Sequence, residues 1–230
     1  MEYENNYMEE ICHAYFYAKK FVIKKGFSQE IDWQQEINFK NVTEQDFLRE
    51  TAWVILSSGM REKIIEKIFP KLSNAFYDWS SAKKISNYRS KCYKKSFLVF
   101  SHEKKILAIL KAADIILEKG FSNFKNDIST NGIQRLEIIP YIGPITKFHL
   151  AKNIGLDISK PDRHLNRISN GLGFKCPQTL CRSIANKIDE KKSVVDIVIW
   201  RYATLNNNYL ETIEYFLEKK PFKNILKHGE

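Results

Sequence analysis

Apolar residues three and four positions apart recur in nearly every long segment of this chain, while the strict alternation of a half-buried strand is almost absent. With 9 glycines and 6 prolines in 230 residues, the pattern is seldom interrupted. The chain is therefore expected to be all-α. A first helix is predicted over residues 7–25, with Ile11, Tyr15, Ala18 and Val22 on one stripe and Gly26 at its end. A loop through Trp33 and Asn38 then leads to Thr43. Its hydroxyl suits a helix cap, and Asp46, three residues on, can return the bond. Phe47, Thr51, Val54 and Ile55 should face inward until Ser57, Ser58 and Gly59 break that helix.

The next helix is expected from Met60 through Ile64, Ile68 and Leu72, with a bend or stop at Pro70. Residues 81–100 interleave Lys83, Lys84, Arg89, Lys91, Lys94 and Lys95 with Tyr88, Tyr93 and Phe97. Such interleaving suits nucleic acid, although it also describes a solvated helix face. Ser101 should cap an amphipathic helix through Ile106, Leu110, Ala113 and Leu117, closed by Gly120. Short helices are expected around Phe124 and over 132–139, then over 179–188, 193–205 and 209–217. No internal repeat or low-complexity linker divides the chain.

The 43% hydrophobic content is ample for a core, and 37 Lys and Arg against 27 Asp and Glu leave a net charge of +10. That excess sets up a field that concentrates polyanions, which makes nucleic acid the leading partner class and membrane surfaces the second. No run of about 18 uncharged apolar residues exists, and several acids lie among the first ten residues where a signal peptide carries basic then apolar ones. A cytoplasmic protein is expected, with no membrane partner. Of the four cysteines, only Cys176 and Cys181 are close enough in sequence to share a local site. Too few compatible ligands surround them for a metal, so a reduced, metal-free chain is expected.

Residues 136–147, LEIIPYIGPITK, read as helix, tight hairpin, helix. Pro140 stops the first helix, Gly143 can take a positive φ to close the turn, and Pro144 suits a helix's first position, where its missing N–H is no loss. The amides of Gly143, Ile145 and Thr146 would then lie at a positive helix end, a ready site for a phosphate. Lys147 and Lys152 add charge, and Asp157 and Asp162 are the acids between Pro140 and Asn170.

The run from Ile139 to Pro144, followed by Pro161-Asp162-Arg163-His164-Leu165-Asn166-Arg167, resembles the helix-hairpin-helix, Gly/Pro-rich loop and Asp signature of DNA base-excision glycosylases. In that family a Pro-Gly-hydrophobic-Gly hairpin precedes, by a little under twenty residues, a helix start of the form Asp-x-His-x-x-Arg. Asp162, His164 and Arg167 occupy those places here. The segment from Trp53 to Gly59 looks like the family's helix end and loop that lies against opened DNA. The resemblance spans about residues 45–205, with its strong motifs within 136–168. It implies two helical lobes with a helix-hairpin-helix motif and a DNA-binding cleft between them: one lobe over about 45–135, containing the 57–60 loop, the other over 1–44 plus 136–230, with the hairpin at 136–154 and the catalytic helix start at 161–171.

It also implies a monomeric enzyme that flips a damaged or modified base out of double-stranded DNA and hydrolyses its N-glycosidic bond, with Asp162 as the catalytic carboxylate. An aspartate after a proline otherwise simply caps its helix; the hairpin at family spacing is what favours catalysis. DNA contacts would come from Tyr141, Ile142, Gly143, Ile145, Thr146, Lys147, His164 and Arg167, and from Ser58, Gly59 and Met60, with Met60 the gap filler. Trp33, Trp53 and Trp200 would serve the base pocket. Two departures carry weight: Tyr141 replaces the hairpin's first glycine, and Ile145 stands where lyase-competent members carry the Schiff-base lysine. An isoleucine forms no imine, so a monofunctional enzyme is implied, Lys147 being the substitute if a lyase step exists. No iron–sulfur cluster is implied, since its cysteine loop is missing, and no other cofactor beyond room for a structural monovalent cation at the hairpin. The role is repair, or defence against modified phage DNA, in a prokaryotic nucleoid or phage-like setting. A non-catalytic hairpin module that only grips phosphates is the alternative.

Overall fold

A computed structural model describes residues 2–217. It is helical throughout, with no strand among the described residues, and its contacts divide the chain into two units. The continuous unit is Asn38–Gly155; the split unit joins the residues up to Ile37 to those from Leu156 onward. The division therefore falls at 37/38 and 155/156, not at 44/45 and 135/136, and the hairpin segment belongs with the continuous unit. The physical reason is that its second helix packs on the first long helix of that unit.

The split unit begins with α1 (Glu2–Lys24) and α2 (Ser28–Glu36). Ile11, Tyr15, Ala18 and Val22 of α1 are all buried, as their spacing predicts. Trp33, expected in a loop, lies on α2, which forms because Ile31 and Gln34 present one buried face.

The continuous unit holds α3 (Glu44–Ser57), α4 (Glu62–Ala75), α5 (Ala82–Asn87), α6 (Arg89–Val99), α7 (Glu103–Lys119), α8 (Phe121–Asn131) and α9 (Thr146–Asn153). Thr43 caps α3 as its sequence requires: its hydroxyl accepts the Asp46 amide at 3.1 Å, and the Asp46 carboxylate accepts the Thr43 amide at 3.2 Å. Phe47, Thr51, Val54 and Ile55 are fully buried. α4 continues through Pro70, because the bond that Pro70 cannot donate would end on Glu66, and both positions are exposed to water. Its inward residues are Ile65 and Leu72, whereas Ile64 is exposed. α7 starts at Glu103 after His102, so Ser101 is not its cap; the Ser101 hydroxyl donates to Phe97 instead. Leu117 of α7 also faces outward.

α7 is the centre of this unit, packed by α3, α5, α6 and α8. The unit's two ends meet where Phe39 N–H donates to Gly155 C=O at 3.2 Å. Only glycine allows this approach: Gly155 has φ +83°, and a Cβ there would stand 2.6 Å from the Phe39 nitrogen. Tyr77, Asp78 and Trp79 form a left-handed turn, with φ of 56°, 50° and 62°. Such backbone costs about 1–2 kcal/mol per non-glycine residue. Packing offsets it: Trp79 is buried, stacks on Phe76 with ring centres 4.9 Å apart, and donates its indole N–H to Ser73.

The chain then returns to the split unit with α10 (Arg163–Gly171), α11 (Pro177–Ile188), α12 (Lys192–Leu205) and α13 (Tyr209–Phe216). α12 packs on α1, α2, α10 and α11, and one apolar core holds Val194 and Val198 of α12 with Leu165 and Ile168 of α10. That core fixes the start of α10, where Asp162 stands.

Candidate functional site

Asp162 is the N-cap residue of α10, with the extended backbone angles usual at that position. One carboxylate oxygen, Oδ1, accepts the amides of His164 at 2.9 Å and Leu165 at 3.0 Å. No hydrogen bond or ion pair among the described residues takes up the other oxygen, Oδ2, and the residue is half-buried. Capping thus consumes half of this carboxylate and orients the rest. The side chain sits at the positive end of α10.

His164 is half-buried. Its ring meets the edge of Tyr209, with centres 5.5 Å apart, and its Nε2 accepts from Arg163 at 3.3 Å. Burial pushes its pKa below the ordinary value; Asp162 pulls it up, while Arg163 and Arg167 add to the fall. The buried Nδ1 of His164 and the buried hydroxyl of Tyr209 have no partner among the described residues. Arg167 lies on the exposed face of α10.

In the continuous unit, a short 3-10 helix, Ile133–Ile138, leads into a turn and then α9. The left-handed residue of the turn is Tyr141, with φ 69°, and not Gly143. The Thr146 hydroxyl decides this: it accepts the Gly143 amide at 2.7 Å and donates to the Tyr141 carbonyl at 2.9 Å, placing the left-handed residue two positions earlier than the glycine suggests. Two expected contact groups are thereby spoken for. The Gly143 amide is used internally, and the Ile142 amide goes to Ile139 while its side chain is buried. The Ile145 and Thr146 amides have no partner among the described residues, and Pro144 has no N–H to offer. Ile145 is exposed. Pro144 lies two residues before α9 and is not its first residue. Lys147 Nζ pairs with Glu137 at 2.6 Å, so this amine is not poised for attack.

Lys105 of α7 is a buried cation that the sequence reading passed over. Its Nζ donates to the carbonyls of Leu56 at 2.6 Å and Ser58 at 2.5 Å, and lies 5.8 Å from the centre of the Tyr141 ring. It thereby caps the C-terminal end of α3, holds the 57–60 loop and contacts the hairpin turn. Burial lowers its pKa. The signal was a lysine on the stripe of α7 that also carries Ala108, Ile109 and Ala112. Gly59 is exposed at φ 70°, and Met60 is half-buried.

The tryptophans separate. Trp53 meets Phe69 edge-on at 5.1 Å inside the aromatic core of the continuous unit. Trp33 and Trp200 belong to the split unit, where Trp33 is exposed and Trp200 lies under the Arg201 guanidinium at 4.6 Å. Cys176 and Cys181 are not joined in a disulfide, and no group of potential metal ligands occurs among the described residues. No helix of the described chain is long and apolar enough to cross a membrane. No protein-family model, curated protein or solved structure matches this chain.

Proposed function

We propose that this chain is a DNA glycosylase of the helix-hairpin-helix, Gly/Pro-rich loop and Asp superfamily, acting as a monomer on double-stranded DNA that carries a modified or damaged base. The observation that carries the reading is the divided carboxylate of Asp162: one oxygen fixed by two backbone amides, the other uncommitted. The free amides of Ile145 and Thr146 at the start of α9 support it as a phosphate site that reads no sequence.

Departure of the base breaks the bond from its nitrogen to C1′, and the electron pair leaves with the base, which then takes up a proton. Positive charge builds on the sugar, so a fixed anion stabilises the transition state more than the ground state. In this reading Asp162 Oδ2 meets that charge. Water adds to C1′ and gives its proton to the same oxygen, leaving an abasic site. The capping bonds hold Oδ2 in place without reorganisation, and extrusion of the nucleotide supplies access to the bond.

Ile145 at the lyase position and the Lys147–Glu137 pair both favour a monofunctional enzyme. Met60 serves as gap filler, with Trp33 or Trp200 as stacking surface for the base; Trp53 is the weakest of the three because its ring is packed on Phe69. The role is repair or defence, in the nucleoid of a prokaryote or a phage-like setting. The test is base release from a panel of duplexes carrying alkylated, oxidised, deaminated or bulky modified bases, comparing the parent with Asp162→Asn. Release by the parent and none by the variant is expected; equal release by both overturns the assignment of Asp162, and salt-dependent binding with no release by either favours a phosphate-gripping module.

A further inference from the structure

From Trp79 to His102 the chain has six Lys and Arg and no Asp or Glu. The structure gathers this stretch into α5 and α6 on the continuous unit. Lys83, Lys84, Lys91, Lys94 and Lys95 are all exposed, and no ion pair takes up any of them among the described residues. Arg89 alone is spoken for, by Asp114 at 2.6 Å.

Aromatic rings lie among these charges. The left-handed turn at 77–79 carries the Tyr77 ring to 5.2 Å from that of Tyr88, which is 51% exposed, and Lys84 and Lys91 approach the Tyr77 ring at 5.0 and 6.0 Å. The Tyr77 hydroxyl is shielded from water and has no partner among the described residues, so a donor is left over beside the ring pair. Farther along α6, Tyr93 and Phe97 stack at 5.8 Å, and Phe97 is exposed.

We infer that the α5–α6 face, built on Tyr77, Tyr88, Lys84 and Lys91, binds a single strand of nucleic acid. Lysines without counter-ions answer its phosphates, and the exposed Tyr88 ring, with the Tyr77 ring tilted against it, offers a surface on which an unpaired base can stack. A duplex would satisfy only half of this surface, since its bases are already stacked on each other and leave Tyr88 without a partner. The inference uses neither Asp162 nor the hairpin and stands apart from the glycosylase reading.

The test is fluorescence anisotropy with the full chain and a labelled oligothymidine of about 20 nucleotides, beside a blunt duplex of equal length. The parent is expected to prefer the single strand. Tyr88→Ala should weaken that binding about 5-fold or more and leave duplex binding unchanged, as loss of one stacked base implies. Replacing Lys84 and Lys91 together with Gln should flatten the salt dependence by about 0.7 logarithmic slope units per lysine. Tyr88 is half-exposed, so its truncation leaves the fold intact, which a thermal melt checks. Unchanged oligothymidine affinity in Tyr88→Ala, or equal losses on single strand and duplex, overturns the inference. Asp162→Asn should bind oligothymidine like the parent, so a failure of either reading shows independently of the other.

Discussion

α9 and α10 begin in opposite ways. At the start of α10 the chain supplies its own anion: Asp162 saturates the amides of His164 and Leu165 and keeps one oxygen over. At the start of α9 the chain supplies none: the Thr146 hydroxyl takes the Gly143 amide and leaves those of Ile145 and Thr146 open. The first helix end has its negative charge built in, and the second is prepared to receive one. Of these two helix starts, one is thus an anchored carboxylate and the other an anion acceptor, because only the first has a charged side chain at its cap. The glycosylase reading needs one of each.

The largest expected effect separates the two jobs of Asp162. Asparagine caps a helix about as well as aspartate, so Asp162→Asn should melt within a few tenths of a kcal/mol of the parent. Its base release should nevertheless fall by about 100-fold or more, the scale on which losing a fixed electrostatic group slows such reactions. Asp162→Ala loses both jobs and should also cost about 0.5–2 kcal/mol of stability. Should Asp162→Asn release bases at the parent's rate, the carboxylate is a cap and nothing more.

Next comes Lys105, which ties α3 to the 57–60 loop and the hairpin turn. Lys105→Met should cost about 1–3 kcal/mol, because the carbonyls of Leu56 and Ser58 lose a buried donor. Chemical denaturation measures this, and an unchanged midpoint would mean that the loop is held by something else.

Glu50 bears on the far end of α9, where its carboxylate accepts from Asn153 at 3.0 Å. Burial raises its pKa, with Arg49 opposing. Below the ordinary carboxyl value of 4.5 the group is protonated in both folded and unfolded chains and has no ionisation cost. Above it the unfolded chain ionises first, so stability falls as pH rises toward the folded pKa. Glu50→Gln has no such dependence. Its melting temperature should therefore gain on the parent's as pH is raised from 4.5 toward neutrality, and a constant difference would show that Arg49 cancels the effect of burial.

How legible these features were follows from how local their causes are. The capping box at Thr43 and Asp46, the buried stripe of α1 and the cap position of Asp162 each depend on residues within a turn of one another, and all stand in the structure as read. The exceptions have causes at longer range or in solvent. Pro70 fails to stop α4 because water satisfies what it disrupts. Tyr141 takes the positive φ expected of Gly143 because a hydroxyl five residues on fixes the turn. Lys105 drew no notice in the sequence because its acceptors, Leu56 and Ser58, lie almost fifty residues earlier. The left-handed turn at Tyr77 is likewise invisible from composition, since its cost is met by the stacking of Trp79.

The smallest effect is expected at Lys147, and its smallness is the point. It lies one residue into α9, near the amides proposed to hold phosphate, and would be the obvious substitute for the missing lyase lysine. Glu137 already neutralises it at 2.6 Å, with both side chains partly exposed, so the pair is worth about 0.2–1 kcal/mol at most. If the open amides alone hold the phosphate, Lys147→Met should leave the salt dependence of duplex binding unchanged, where a lysine in direct phosphate contact would remove about 0.9 from the slope. By the same logic, borohydride should trap no covalent adduct between the parent and duplex DNA. A trapped adduct that disappears in Lys147→Met would show that Glu137 lets go during the reaction, and α9 would then supply a nucleophile where its backbone is here assigned only a grip.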